Sequence, residues 1–387
     1  MQAEEYKDKG IKMKKFAVVG IGRMGFRHAY NMYMRQIGGL KLVAVCDIDQ
    51  KQLDKAKKFK GVKGYLDYKE MLDNEALDGV MIATPHYSHV EIAKYAISKG
   101  VCALIEKPIS VTTKDAKDLI SFAEEHKEVL TGISFNQRSN KMYAKARKLI
   151  ASGSLGEIQR VNFTVTHWYR SQAYYNQGGW RASYVGEGGG CLINQCVHQI
   201  DALLSIIGMP ESIVSTMHTK DRDITVENDV AAILKYKDFD AVFTASTHEI
   251  KGTNRLEIAL DKGKIIIGKR GMKIYHHKSQ KEVNSITKFG YGATPSFLSI
   301  GSYGLFRGLK DLIVGQQVRS IRAFVRAMNG KGEQLATLQD GLNTMEIING
   351  IYLSSWENKE VALPIDDDLY ENKLENKKQL EIERSKK

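Results

Sequence analysis

Gly20-Ile21-Gly22-Arg23-Met24-Gly25 decides the fold. The apolar run Phe16-Ala17-Val18-Val19 precedes it, and a helical pattern follows. A strand, a glycine turn and a helix in that order make a pyrophosphate-binding device. The first glycine permits the tight turn, the second lets backbone approach the phosphates, and the third lets helix pack on strand. The helix N-terminus adds a positive dipole. Outward from the turn, the next strand ends Val43-Ala44-Val45-Cys46-Asp47, and Asp47 lies 22 residues after Gly25. That is close to the ~20-residue offset of the acid that holds a ribose 2′-hydroxyl. A carboxylate there accepts from the diol and repels a 2′-phosphate, so NAD is expected rather than NADP.

Strand-like runs at 16–20, 42–46, 79–84, 101–105 and 129–135 alternate with amphipathic helical stretches. In Ser88 to Lys99 the apolar positions are Val90, Ile92, Ala93, Ala96 and Ile97, and Gly100 stops the helix. Such alternation predicts a parallel sheet with helices on both faces. After about residue 136 the pattern changes. A helix over 140–152 is followed by Val161, Phe163 and Val165 alternating with polar residues, a strand with one buried face. Further strands are expected at 212–218, 229–236, 241–248, 255–260 and 264–267, with helices at 316–329 and 338–358. The expected class is α/β: a polar tail over 1–12, a dinucleotide-binding domain over 13–136, and a charged tail over 366–387. Between them, residues 137–365 form a second, α+β domain with a mostly antiparallel sheet.

The 387 residues suffice for two domains, and 43% hydrophobic with 26% charged residues is an ordinary globular composition. No stretch approaches a membrane span, and the N-terminal residues lack an apolar leader, so a cytoplasmic protein is expected. Cys46 and Cys102 lie in strand-like runs, as small hydrophobes do. Cys191, Cys196 and His198 match no zinc spacing, so no metal is expected. The net charge of +12 is spread over helical faces such as Lys51 to Lys63, the pattern of a solvated surface. It would draw in an anionic cofactor or substrate; nucleic acid is not expected.

Two constellations carry chemistry. Glu106-Lys107-Pro108 ends the apolar run Val101 to Ile105, at the carboxyl end of a strand, where open α/β sheets bind ligands. The second is Gly188-Gly189-Gly190 followed by a helix in which Ile193, Val197, Ile200, Leu204 and Ile207 form the core stripe. At 100° per residue Asn194, His198 and Asp201 share a narrow arc beside that stripe, as a cleft wall requires.

These segments, with Thr84-Pro85 and His89, resemble the glucose–fructose oxidoreductase/inositol dehydrogenase/rhizopine-catabolism (Gfo/Idh/MocA) oxidoreductase family over about residues 14–365. The resemblance implies an NAD(P) domain and a C-terminal α/β domain whose open sheet often makes dimers or tetramers. It implies hydride transfer between nicotinamide and a secondary alcohol of a sugar, glycoside or cyclitol. The turn Gly20 to Gly25, Asp47, Thr84, Pro85, His89 and Glu106 would seat the cofactor. Lys107 would lie by the nicotinamide and the reacting carbinol, with His198 as proton acceptor or donor.

Many family members carry Asp where this chain has Asn194; an amide orients a ring but does not stabilise an imidazolium, which leaves Lys107 and His198 both open as the base. Trp168, Arg170, Tyr174 and Arg181 have the chemistry of sugar contacts, with Asn194 and His198. Two other outcomes fit the same residues. One is transient oxidation that permits elimination of an aglycone, by this protein or a partner enzyme, and the other is a non-catalytic sugar or NAD sensor.

Overall fold

A computed structural model describes residues 12–269, 271–286, 299–303 and 315–386, and the chain divides into two units. The first takes Met1–Ser139, Gly186–Gly188 and Val314–Met345; the second takes Asn140–Val185, Gly189–Ile313 and Glu346–Lys387.

In the first unit six strands, β1 (Lys14–Val19), β2 (Leu40–Cys46), β3 (Lys63–Tyr65), β4 (Gly79–Ile82), β5 (Cys102–Ile105) and β6 (Thr131–Ile133), form one sheet in the order β3-β2-β1-β4-β5-β6. Every pairing in it is parallel. Phe16, Ala17 and Val18 are fully buried, which is why the run before the glycine turn carries no polar alternation. The helices α1 (Arg23–Tyr33), α2 (Gln50–Ala56), α3 (Tyr68–Asn74), α4 (His89–Ser98) and α5 (Thr113–Glu124) connect the strands. Strand order reverses between β1 and β4, so the switch point lies beside the glycine turn. The short β3, Lys-Gly-Tyr, has no apolar run to betray it in the sequence.

Among the described residues the second unit has nine strands: β7 (Ile158–Val165), β8 (Ser212–His218), β9 (Asp229–Lys235), β10 (Asp240–Ser246), β11 (Asn254–Leu260), β12 (Gly263–Gly268), β13 (Gly271–His276), β14 (Ser299–Tyr303) and β15 (Val361–Ala362). Their order is β14-β13-β12-β11-β7-β10-β9-β8-β15. β7 and β10 pair parallel, and the other neighbours pair antiparallel. On β9 Val230, Ala232 and Leu234 are buried while Ala231 and Ile233 face outward, the two-residue period of a sheet with one covered face. Its described helices include α6 (Lys141–Ala151), α7 (Gln172–Tyr175), α8 (Val197–Ile207) and α9 (Gln280–Ile286).

Two expectations are corrected. The helix expected at 316–329 is present as α10 (Gln316–Met328), but it belongs to the first unit. Val318, Ile321, Phe324 and Val325 share a core there with Phe16, Met32 and Ile37. The following helix, α11 (Leu338–Glu357), begins in the first unit and continues into the second. The charged tail expected over 366–387 is also more than a tail. It forms α12 (Asp367–Ser385), capped by Asp366 accepting from Leu369 N. Its anchors are Tyr370 and Leu374, both buried, with Tyr370 stacked on Trp356 at 5.6 Å. Among the described residues no helix is long and apolar enough to cross a membrane.

Candidate functional site

The glycine turn in the first unit is a cradle built by exclusion. Gly20 has φ +85°, and a Cβ on it would lie 2.7 Å from Ala83 O. On Gly25 a Cβ would lie 1.7 Å from Gly20 O, which no side chain survives. Gly22, the N-cap of α1, has open space where its Cβ would be. The first turn of α1 has no acidic residue and no side-chain cap, so its N–H groups and dipole are available to an anion. Arg23 and Met24 are exposed beside them. The Ile21 side chain is fully buried, and its backbone N–H donates to Asp47 Oδ2 at 2.6 Å. Asp47 also accepts from Asp49 N at 2.9 Å, so the acid is fixed against the turn.

β5 delivers Glu106 and Lys107. Glu106 is buried, and its Oε1 lies 2.7 Å from Nε2 of the fully buried His28 on α1. Its Oε2 accepts from Lys107 N at 3.2 Å. The pair ties the phosphate-facing helix to the strand end that presents Lys107, which is half-buried and precedes Pro108 through a cis peptide bond. His89, expected against the cofactor, is fully buried; its ring nitrogens lie 2.7 Å from Pro108 O and 2.9 Å from Thr84 O. Burial pushes its pKa below the ordinary imidazole value, against the backbone oxygens that favour the charged ring. It is a tie between the Thr84-Pro85 loop and the Glu106-Lys107-Pro108 segment. Thr84 is half-buried and its hydroxyl accepts from Ser88 Oγ at 2.8 Å.

In the second unit a π-helical turn, Leu192–Cys196, precedes α8. With its i→i+5 bonds it turns less than 100° per residue between Asn194 and the start of α8. Asn194 and His198 are the half-buried side chains of 191–201, whereas Asp201 is fully buried. The triglycine makes room for a buried carboxylate under this turn. Glu227 accepts from Gly190 N at 3.0 Å, Leu192 N at 2.9 Å and Tyr352 Oη at 2.9 Å. A Cβ on Gly189 would lie 2.0 Å from Tyr352 Oη, and one on Gly190 would lie 2.0 Å from Glu227 O. Sequence reasoning missed Glu227; its one signal was an acid opening an apolar strand at Val226-Glu227-Asn228-Asp229.

The expected sugar contacts also fall in the second unit. Trp168 packs on His167 with ring centroids 4.3 Å apart, and Arg170 lies 4.6 Å above the Tyr174 ring. Tyr174 Oη accepts from Gln195 Nε2 at 3.4 Å, which brings this loop to the turn carrying Asn194. Arg181 stacks over Trp180 at 4.5 Å. Lys107 and His198 lie in different units. The four cysteines are free, and no cluster of three metal-ligating side chains occurs among the described residues.

Residues 14–133 match the oxidoreductase family model with an NAD-binding Rossmann fold, and residues 143–266 match the GFO/IDH/MocA C-terminal domain. The chain belongs to the GFO/IDH/MocA oxidoreductase family. Its first unit is therefore an NAD-binding Rossmann domain, and the open Gly22 cradle, the free α1 N-terminus and Asp47 fit that cofactor. The scyllo-inositol 2-dehydrogenase (NAD(+)) of Bacillus subtilis is 27% identical over 65% of this chain and 73% of its own. An inositol 2-dehydrogenase of Salmonella typhimurium is 29% identical over 42% of this chain, which spans half of that relative's length. Among solved structures, the WlbA dehydrogenase of Chromobacterium violaceum, in complex with NADH and UDP-GlcNAcA, shares the fold. Its TM-score is 0.78 at 23% identity, covering 92% of this chain and 98% of that one. Levoglucosan dehydrogenase, in complex with NADH and levoglucosan, has a TM-score of 0.73 at 19% identity, covering 91% and 99%.

Proposed function

We propose that this GFO/IDH/MocA oxidoreductase oxidises a ring secondary hydroxyl of a sugar, glycoside or cyclitol, with NAD as the hydride acceptor. The observation that carries the reading is Lys107, set at the carboxyl end of β5 by the buried Glu106–His28 pair. Either a His198 ring nitrogen takes the hydroxyl proton while the Lys107 ammonium stabilises charge on the oxygen, or Lys107 Nζ, in its neutral form, takes the proton itself. Asn194, half-buried four residues before His198, orients the ring or a substrate hydroxyl. Trp168, Tyr174, Arg170 and Arg181 supply stacking faces and donors for a polyhydroxylated ring. Asp47 selects NAD by accepting from the ribose diol and repelling a 2′-phosphate.

Relatives named as acting on inositols support the substrate class. The outward face of the nine-stranded sheet, with Ile233 40% and Val242 36% exposed, supports a homodimer or homotetramer. The free cysteines suit a reducing cytoplasm. Purified protein incubated with NAD and a panel of sugars, glycosides and inositols should form NADH. Turnover of simple linear alcohols alone would overturn the substrate class, and loss of aglycone without net NADH would favour recycled oxidation and elimination.

A further inference from the structure

We propose that the second unit holds a subsite for a second, neutral sugar ring, so that the substrate is a disaccharide or glycoside; this rests on the ring-hydroxyl dehydrogenase reading above. A cavity of about 320 Å³ lies between the loop from Gln172 to Ala182, the turn Asp223 to Thr225 and the end of α12. That volume lies within the ~300–1,000 Å³ of small-ligand pockets. Tyr175, Ala182 and Ile224 give it an apolar side, and Arg181, Arg384, Asp223 and Glu381 give it a polar one.

The two guanidiniums and two carboxylates cancel in formal charge. A phosphate or polyanion therefore gains little there, whereas adjacent donors and acceptors beside an aromatic ring match the hydroxyls and C–H face of a pyranose. Arg181 is stacked on Trp180 and takes part in no ion pair among the described residues, so its donors are oriented and available. Arg384 lies 3.3 Å from Asp223, an exposed pair that yields easily to a ligand.

The far wall is firmly held. Glu381 Oε2 accepts from Val185 N at 2.8 Å, and its Oε1 accepts from Thr225 Oγ1. Arg181, one of the expected sugar contacts, lines the cavity, and Tyr175, which lines it too, adjoins Tyr174, whose hydroxyl accepts from Gln195 on the turn bearing Asn194. Glu381, Arg384 and Ser385 come from a helix outside both segments matched by the family models.

The test compares cellobiose, maltose and lactose with glucose and galactose on the full chain, wild type and Arg384→Ala. Arg384 is exposed near the end of α12, and a circular dichroism melt checks that the variant folds. With NAD, the wild type should prefer a disaccharide over its monosaccharide in kcat/KM. Arg384→Ala should cut that ratio roughly tenfold, chiefly through KM. In NMR, saturation should pass from the wild type to the distal ring of the disaccharide and fail to do so in Arg384→Ala. An unchanged ratio, or no disaccharide binding to the wild type, overturns the subsite. Saturation of the distal ring by the wild type alone, with no NADH from any sugar, sustains the subsite and overturns the dehydrogenase reading instead.

Discussion

Tyr352 donates its hydroxyl to Glu227 at 2.9 Å, and Glu227 in turn accepts the N–H groups of Gly190 and Leu192. A carboxyl that is itself buried thus sets the start of the helix presenting Asn194 and His198. Tyr352 stacks on Trp356 at 5.3 Å and Trp356 on Tyr370 at 5.6 Å, so the same network anchors α12.

Desolvation pushes the Glu227 carboxyl from its ordinary 4.5 to about 7, against the lowering effect of its three donors. Its pKa is higher folded than unfolded, so its contribution to stability is complete below the unfolded value. It is lost as pH rises through the folded one. The Tm should therefore fall between about pH 5 and pH 8. Glu227→Gln should flatten that slope while costing about 1 kcal/mol at the acid end, because its amide nitrogen replaces the oxygen that accepts from Gly190 N, leaving that N–H only its second acceptor, Tyr352 Oη. Thermal melts across that range check both; an unchanged slope in the variant places the pH dependence elsewhere.

Gly22 and Gly25 should separate binding from folding. The Cβ of Gly22→Ala enters open space at φ −64°, a conformation any residue adopts, so the Tm should stay within a degree or two. That methyl group occupies the phosphate approach, and NAD affinity should drop at least tenfold. Gly25→Ala drives its Cβ into Gly20 O and should lower stability by more than about 3 kcal/mol. Calorimetric NAD titration and denaturant melts of the two variants provide the comparison.

Asp47→Ala removes the carboxylate that repels a 2′-phosphate. Affinity for NAD should fall about tenfold while affinity for NADP rises, since one charge-assisted hydrogen bond is worth ~1.5–3 kcal/mol. Fluorescence titration with both cofactors measures the change. Equal losses for both would deny Asp47 its selective role.

His28→Ala removes one of the contacts of the buried Glu106 carboxyl, the 2.7 Å approach of the imidazole. The variant should lose about 3 kcal/mol in a urea titration. It should also bind NAD more weakly, because α1 and the end of β5 are no longer tied. His28→Asn, which keeps a donor on a shorter side chain, should recover part of both losses.

The first unit was legible because its signals are local: a buried strand, a glycine turn and an acid at fixed spacing. Alternation on β7 likewise exposed the second sheet. What stayed hidden depends on partners rather than pattern. The apolar face of α10 marks a helix but does not say that Val318 and Phe324 join the core around Phe16. The charge on α12 masks two anchors, Tyr370 and Leu374. A π-helical turn alters the 100° spacing assumed after Asn194, and Asp201 is fully buried while Asn194 and His198 are half-buried. His89 resembles a ligand-binding residue in sequence, yet its ring nitrogens face backbone oxygens. Glu227 is a carboxylate in a core, which composition never predicts.

The central claim is hydride transfer from a ring carbinol with Lys107 handling the hydroxyl. The most direct measurement is the initial rate of NADH formation by the wild type and Lys107→Met over sugars, glycosides and inositols, with NAD affinity measured in parallel. The account predicts turnover of at least one ring alcohol, reduced at least a thousandfold in Lys107→Met with NAD binding retained. A Lys107→Met protein that turns over at the wild-type rate, or a wild type inert across the panel, would contradict it.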